Sequence, residues 1–169
     1  EDGVKGTGNE GKFKVMELPR CVVVGHGVLP TIPDTCARLG LPDTALLVAD
    51  DVTRRIAGRD IEQALQDAGF DTEVLCIREA DSETIGQVQE KAVELGDAFL
   101  AGIGGGRPID VAKCASFNAK VPFISVPTAA SHDGIVSSRA SVLVKGVKES
   151  LEAQTPIAVF ADTEIIAKS

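Results

Sequence analysis

Three stretches of this 169-residue chain carry residue types that could do chemistry. The first is Ala101-Gly-Ile-Gly-Gly-Gly-Arg-Pro-Ile-Asp110, an apolar strand pattern running into three glycines and then into a helix that opens near Pro108. Glycine lets the backbone approach a ligand closely, and a helix start offers unpaired N–H groups to a phosphate. The second is Ser125-Val-Pro-Thr-Ala-Ala-Ser-His-Asp-Gly134, another apolar strand, ending in small hydroxyl residues and an acid. Two such strand ends, about one βαβ unit apart, fit a dinucleotide or phosphorylated-substrate site on an open α/β sheet. The third is Ile157-Ala-Val-Phe-Ala-Asp162, an apolar strand closed by an acid.

Each feature also has an ordinary structural explanation. The strict G-x-G-x-x-G fingerprint fails twice, with Pro30 in the third position counted from Gly25 and Arg107 counted from Gly102. A Walker A loop is excluded because no Gly-Lys-Ser/Thr follows the glycines. Gly104, Gly105 and Gly106 before a helix still make a good pyrophosphate cradle, or else only a tight turn. Asp50, closing the second strand, could take adenosine ribose hydroxyls or could cap a helix. Asp110, placed in the first helical turn, favours the helix dipole whatever else it does. Asp133 in its loop points to substrate binding. His132, one of two histidines, is more ordinary as a hydrogen-bonded loop residue than as a base. Asp162 could be a metal ligand or an N-cap.

The elements that must position these residues follow from periodicity. Strands are expected at Arg20–Val24, Ala45–Val48, Thr72–Ile77, Ala98–Ile103, Val121–Val126 and Ile157–Ala161. Between them lie helical patterns: one to about Leu39, one with Ile61, Ala64, Leu65 and Ala68 on a face, one with Ile85, Val88, Ala92 and Leu95, and Pro108–Ala119. Asp81 or Ser82 supplies an N-cap for the third of these. Repeated βαβα predicts a Rossmann-like parallel sheet with helices on both faces. Ala140–Gln154 breaks the rhythm and reads as a hairpin or loop excursion, with Lys145-Gly146 as its turn. In such a sheet ligands bind beyond the carboxyl ends of the strands, where Gly25-His-Gly27, Asp50-Asp51, the three glycines, Thr128 to Asp133 and Asp162 all gather.

Composition narrows the function classes. A net charge of −8, with no dense Lys/Arg run, argues against a nucleic-acid surface. There is no apolar run of membrane-spanning length and no signal-peptide pattern. With no Trp or Tyr and six Phe, the core must rest on Val, Ile, Leu and Ala. Cys21, Cys36, Cys76 and Cys114 are widely spaced and read as buried free thiols, which suits a cytoplasmic protein. Residues 1–12 read as a mobile tail, residues 13–169 as one globular domain, and the interrupted last helix as a chain that continues.

Taken together, Gly104-Gly-Gly-Arg-Pro-Ile-Asp110, Pro127-Thr-Ala-Ala-Ser-His-Asp-Gly134 and Ala161-Asp-Thr-Glu-Ile-Ile166 resemble the glycerol dehydrogenase, dehydroquinate synthase and iron-alcohol dehydrogenase superfamily. Within it the motifs are closest to the archaeal branch that makes sn-glycerol 1-phosphate. The resemblance implies an N-terminal NAD(P)-binding domain, followed in the family by an all-helical, metal-bearing domain that this chain lacks. It implies cofactor contacts at Asp50, Gly104, Gly105, Gly106, Arg107, Pro108, Ile109, Asp110, Thr128, Ala129, Ala130, Ser131 and Ser137. It implies substrate contacts at Asp133 and Asp162, and one zinc per subunit held by Asp162 with two histidines from the helical domain. Neither His26 nor His132 is expected to replace those histidines, so the chain alone should be inactive. The implied reaction is reduction of dihydroxyacetone phosphate by NAD(P)H for archaeal ether-lipid synthesis, by a cytoplasmic homo-oligomer. Asp50 disfavours a 2′-phosphate on the cofactor if it points at the ribose, whereas Arg54 or Arg55 could accommodate one, so NAD and NADP both stay open. The alternatives are a glycerol dehydrogenase or dehydroquinate synthase-like enzyme of the same fold, or a nucleotide-binding module without catalysis.

Overall fold

A computed structural model describes residues 16–130 and 137–169. Six strands form one parallel sheet: β1 (Cys21–Gly25), β2 (Thr44–Ala49), β3 (Asp71–Cys76), β4 (Phe99–Gly104), β5 (Phe123–Pro127) and β8 (Ala158–Asp162), in the order β1-β8-β5-β4-β2-β3. β6 (Arg139–Val144) and β7 (Val147–Glu152) pair separately as an antiparallel hairpin. The expected Rossmann-like architecture is present, and each strand falls within a residue or two of its expected position.

The central strands are long apolar runs because both of their faces are covered. Along β2, Ala45, Leu47 and Ala49 enter one core cluster, while Leu46 and Val48 enter the other. The first cluster lies under α1 (Ile32–Arg38) and α3 (Arg59–Asp67), which contribute Ile32, Cys36, Ile61 and Leu65. The second lies under α4 (Ser82–Leu95) and α5 (Gly106–Ala119), which contribute Ile85, Val88, Ala92, Val111 and Ala115. Gly102 permits the close seating of α5 on β4, since a Cβ there would stand 3.0 Å from the Ala112 Cβ.

Adjacent strands β2 and β4 send their helices to opposite faces of the sheet. The segment after β2 runs through a short helix, α2 (Asp51–Thr53), and a π-helical turn (Arg54–Gly58) into α3. The segment after β4 enters α5 directly. A crevice at the carboxyl ends of two strands that diverge in this way is where open α/β sheets bind ligands.

The hairpin closes the side of α5. Its turn uses Lys145 and Gly146, both at positive φ, as a two-residue hairpin turn matching strand twist requires. Leu143 N–H donates to the Ala80 carbonyl at 2.8 Å, and the buried Lys113 Nζ donates to the Arg139 carbonyl at 2.9 Å. Helix α5 begins at Gly106, two residues before Pro108, so Asp110 lies in the second turn and not the first. The dipole argument for Asp110 therefore does not hold, because that effect fades beyond one turn. Of the four thiols, Cys36 and Cys114 are buried as expected, Cys21 is half-buried and Cys76 is exposed. No helix among the described residues is long and apolar enough to cross a membrane.

Candidate functional site

The carboxyl edge of the sheet holds two neighbouring centres. The first is the turn between β4 and α5. Gly104 has φ +149, and a Cβ on it would stand 2.8 Å from Pro108 Cγ and 3.0 Å from Thr53 Cγ2. Only glycine fits there without displacing its neighbours. At Gly105 the same construction meets nothing within 4 Å, so the space above the loop is open. Gly105 is the N-cap of α5, with no side-chain cap and no acid in the first turn. By contrast, Asp50, Asp81 and Asp162 cap α2, α4 and α6 (Thr163–Ala167) through side-chain hydrogen bonds. Among the described residues no side chain caps the first N–H groups of α5, which stand beside an open glycine turn. Such a helix start suits a phosphate.

Around this turn, Thr128 N–H donates to the Gly104 carbonyl at 2.9 Å and ties the end of β5 to the cradle. Pro108, Ile109 and Asp110 are buried, and the Pro108 ring packs against the Gly104 turn. Arg107 is exposed and donates to the Arg78 carbonyl at 3.0 Å. A cavity of about 330 Å³ lies between Glu79, Gly106, Arg107, Asp110, Leu143 and Lys148. Ala129 is half-buried and Ala130 exposed. The Ser137 hydroxyl accepts the Arg139 N–H at 3.0 Å. Ser131, His132 and Asp133 lie outside the described residues.

Asp50 stands at the end of β2, across the crevice. Its Oδ1 accepts the Thr53 N–H at 2.8 Å, while Thr53 Oγ1 accepts the Asp50 N–H at 3.0 Å. This reciprocal capping box fixes Asp50 and presses Thr53 against Gly104. The N-cap alternative for Asp50 is realised, and it uses one of the two carboxylate oxygens.

The second centre is at the ends of β1 and β8, where Gly25 pairs with Asp162. Asp162 is only 5% exposed; its Oδ2 accepts the Val28 N–H at 3.0 Å and its Oδ1 accepts the Glu164 N–H at 3.0 Å. His26 Nδ1 lies 4.0 Å from Glu164 Oε2, and one ligand atom each from His26, Asp162 and Glu164 fall within 4.8 Å of one another. An imidazole and two carboxylates are donors that divalent metals accept. His26 is not expected from the sequence to replace the family's histidine ligands, yet parallel pairing of β1 with β8 puts it beside Asp162. A cavity of about 390 Å³ opens beside Asp162, walled by Gly27, Leu29, Ile56, Asp60 and Lys168.

A parallel sheet with a glycine turn at its switch point defines a Rossmann-like α/β domain. The chain belongs to the iron-containing alcohol dehydrogenase family, which it matches over residues 23–169. It is 51% identical over 164 residues to a glycerol-1-phosphate dehydrogenase (NAD(P)+) of Methanosarcina acetivorans, covering 97% of this chain and 46% of that protein. The same-named protein of Methanosarcina barkeri is 50% identical, over the same shares of the two chains. This chain therefore spans about half the length of the curated relatives it matches. Among solved structures, a probable glycerol dehydrogenase from Sinorhizobium meliloti superposes with TM-score 0.78 at 26% identity, over 91% of this chain and 42% of that one. A glycerol dehydrogenase from Schizosaccharomyces pombe shares the fold, with TM-score 0.83 at 22% identity over 94% of this chain and 41% of its own.

Proposed function

We propose that this chain is the cofactor-binding half of an NAD(P)H-dependent glycerol-1-phosphate dehydrogenase, reducing dihydroxyacetone phosphate to sn-glycerol 1-phosphate for archaeal ether lipids. The observation that carries the proposal is the match to glycerol-1-phosphate dehydrogenases at about half identity along nearly the whole chain. The uncapped turn at Gly105 supports it physically, as an anion cradle of the kind a dinucleotide needs. The protein acts as a cytoplasmic homo-oligomer in this proposal.

Gly104, Gly105 and Gly106 take the cofactor pyrophosphate through the first N–H groups of α5, and Thr128, Ala129, Ala130, Ser131 and Ser137 contribute further cofactor contacts in this proposal. Asp50 faces the adenosine ribose. Asp133 and Asp162 orient the substrate hydroxyl and carbonyl. When bound, the cofactor supplies the hydride and a divalent ion, zinc in this proposal, supplies Lewis-acid polarisation of the ketone. Asp162 is the residue of this chain that holds the ion, and its two backbone hydrogen bonds fix the carboxylate in place. In this proposal the two histidine ligands that the family resemblance implies complete the site from outside these residues.

The test uses the protein at the full length of its curated relatives, with dihydroxyacetone phosphate and NADPH or NADH. Chelator-sensitive oxidation of the cofactor, yielding sn-glycerol 1-phosphate, is expected. Turnover of free dihydroxyacetone or glycerol, with none of the phosphate ester, would move the function to a sister dehydrogenase.

A further inference from the structure

Lys113 lies on α5 about two turns beyond Gly106 and is wholly buried, the one such cation among the described residues. Its neighbours Val111, Ala112, Cys114 and Ala115 join Ala140 and Val142 of β6 in one apolar cluster, which seats the hairpin on the helix without a charge. Burial disfavours a cation, so an apolar side chain would pack there at lower cost. What the ammonium adds is direction. Its Nζ donates to the Arg139 carbonyl at 2.9 Å, and Asp110, one turn earlier on the same helix, supplies the opposing charge.

Arg139 is a junction. It opens β6, its N–H donates to the Ser137 hydroxyl at 3.0 Å, and its guanidinium holds β7 through the Ser150 hydroxyl and carbonyl, each at 3.0 Å. With the Arg139 carbonyl taken by Lys113, both backbone polar groups of Arg139 are committed. Ser137 Oγ is held as an acceptor and keeps its own proton to donate. Other bonds fasten the rest of the hairpin: Leu143 N–H to the Ala80 carbonyl at 2.8 Å, and Gln154 Nε2 to Ser116 Oγ at 2.7 Å. Among the described hydrogen bonds, the one from Lys113 ties the Arg139 end to α5.

On the cofactor site proposed above, which it presupposes, we infer that Lys113 is a positioning residue, holding the Ser137 hydroxyl through Arg139 at a set place relative to the Gly104–Gly106 turn. The turn and Ser137 belong to different elements, yet both touch the cofactor in that proposal. One rigid helix opens with the turn and carries the lysine that places Ser137, so the two contacts share a single frame. Lys113 is itself covered and acts through Ser137.

The experiment is a double-mutant cycle in nucleotide affinity, by calorimetric titration of the protein at the full length of its curated relatives with NADH and NADPH. Ser137→Ala should raise the Kd by about 3- to 10-fold, the range of one hydrogen bond. Lys113→Met keeps the length of the side chain and removes its donor, and should raise the Kd to a similar extent. The double variant should lose no more than the larger single loss, because the lysine acts through the serine. Losses that add, as from a merely structural lysine, would overturn the inference. So would wild-type affinity in either single variant, although the proposed function would stand. Where Lys113→Met does not fold, hydrogen exchange of the wild type decides. Bound nucleotide should slow exchange of the Arg139 amide, and an unchanged rate would overturn the inference. A wild type that binds neither nucleotide would overturn the cofactor site itself and the inference with it.

Discussion

Val28 N–H donates to the Asp162 carboxylate at 3.0 Å, across 134 positions of chain and out of contact with water. The same carboxylate caps α6 through the Glu164 N–H. One side chain therefore fastens the loop after β1 to the loop after β8. Asp162→Ala leaves Val28 N–H buried without an acceptor and removes a cap, an expected loss of about 2–4 kcal/mol in urea unfolding. Asp162→Asn keeps one acceptor oxygen and should lose about half as much. Bound metal per chain, measured on the full-length protein, should fall in both variants. Metal retained by Asp162→Asn at the wild-type level would show that the carboxylate charge does not hold the ion.

Gly104 and Gly105 separate folding from binding. Gly104→Ala forces a Cβ against Pro108 and Thr53 at positive φ, so the expected cost is about 1–3 kcal/mol. Gly105→Ala adds its methyl to open space, at a φ of −84 outside the left-handed region. It should unfold within about 0.5 kcal/mol of the wild type. Its methyl then occupies the space a pyrophosphate needs, and NAD(P)H affinity should fall by at least about tenfold, near the loss of one good hydrogen bond. Unchanged affinity would mean that the turn is only a turn.

The strands were legible because β2, β4 and β5 are buried on both faces, which leaves unbroken apolar runs in the sequence. Gly104–Gly106 and Asp162 were legible because each interrupts such a run with a residue that packs no core. The contact of Thr53 with Gly104 was not legible, since it depends on β2 lying beside β4 although β3 intervenes in the chain. That His26 and Asp162 share the carboxyl edge was legible, but their direct adjacency was not, because it follows from β1 pairing with β8, a strand order that local pattern does not encode. The start of α5 was misplaced because Pro108 is a strong helix-opening signal, yet proline is tolerated throughout the first turn.

The thiols should react in the order of their burial. Cys76 is exposed, whereas burial pushes Cys36 up to about 12 and Cys114 up to about 11. The thiolate is the reactive form, so at pH 8 Cys36 and Cys114 hold little of it and are also covered. Titration with a disulfide reagent should show one fast thiol, removed by Cys76→Ser, and a slower one from half-buried Cys21. Cys36 and Cys114 should react only after denaturation. Rapid labelling of all four in the native protein would contradict the packing of α1 and α5.

Lys113 is wholly buried on α5, one turn beyond Asp110, with Nζ bonded to the Arg139 carbonyl. Burial lowers its pKa from 10.5, and the Asp110 charge opposes that fall only in part. Between the lowered value and 10.5 the unfolded chain binds more protons than the folded one, so this group makes stability rise with pH across that window. Below the window the cost of the buried cation is present in full. Urea unfolding of wild type and Lys113→Met, compared from pH 7 to pH 10, isolates the contribution, because Cys36 and Cys114 titrate in both proteins. The wild type should gain stability relative to the variant as pH rises. Equal slopes would mean that Lys113 is as well solvated by its partners in the fold as by water. A relative loss would mean that the Asp110 charge outweighs burial, making the pair a net stabilising clamp between the candidate cofactor helix and the hairpin.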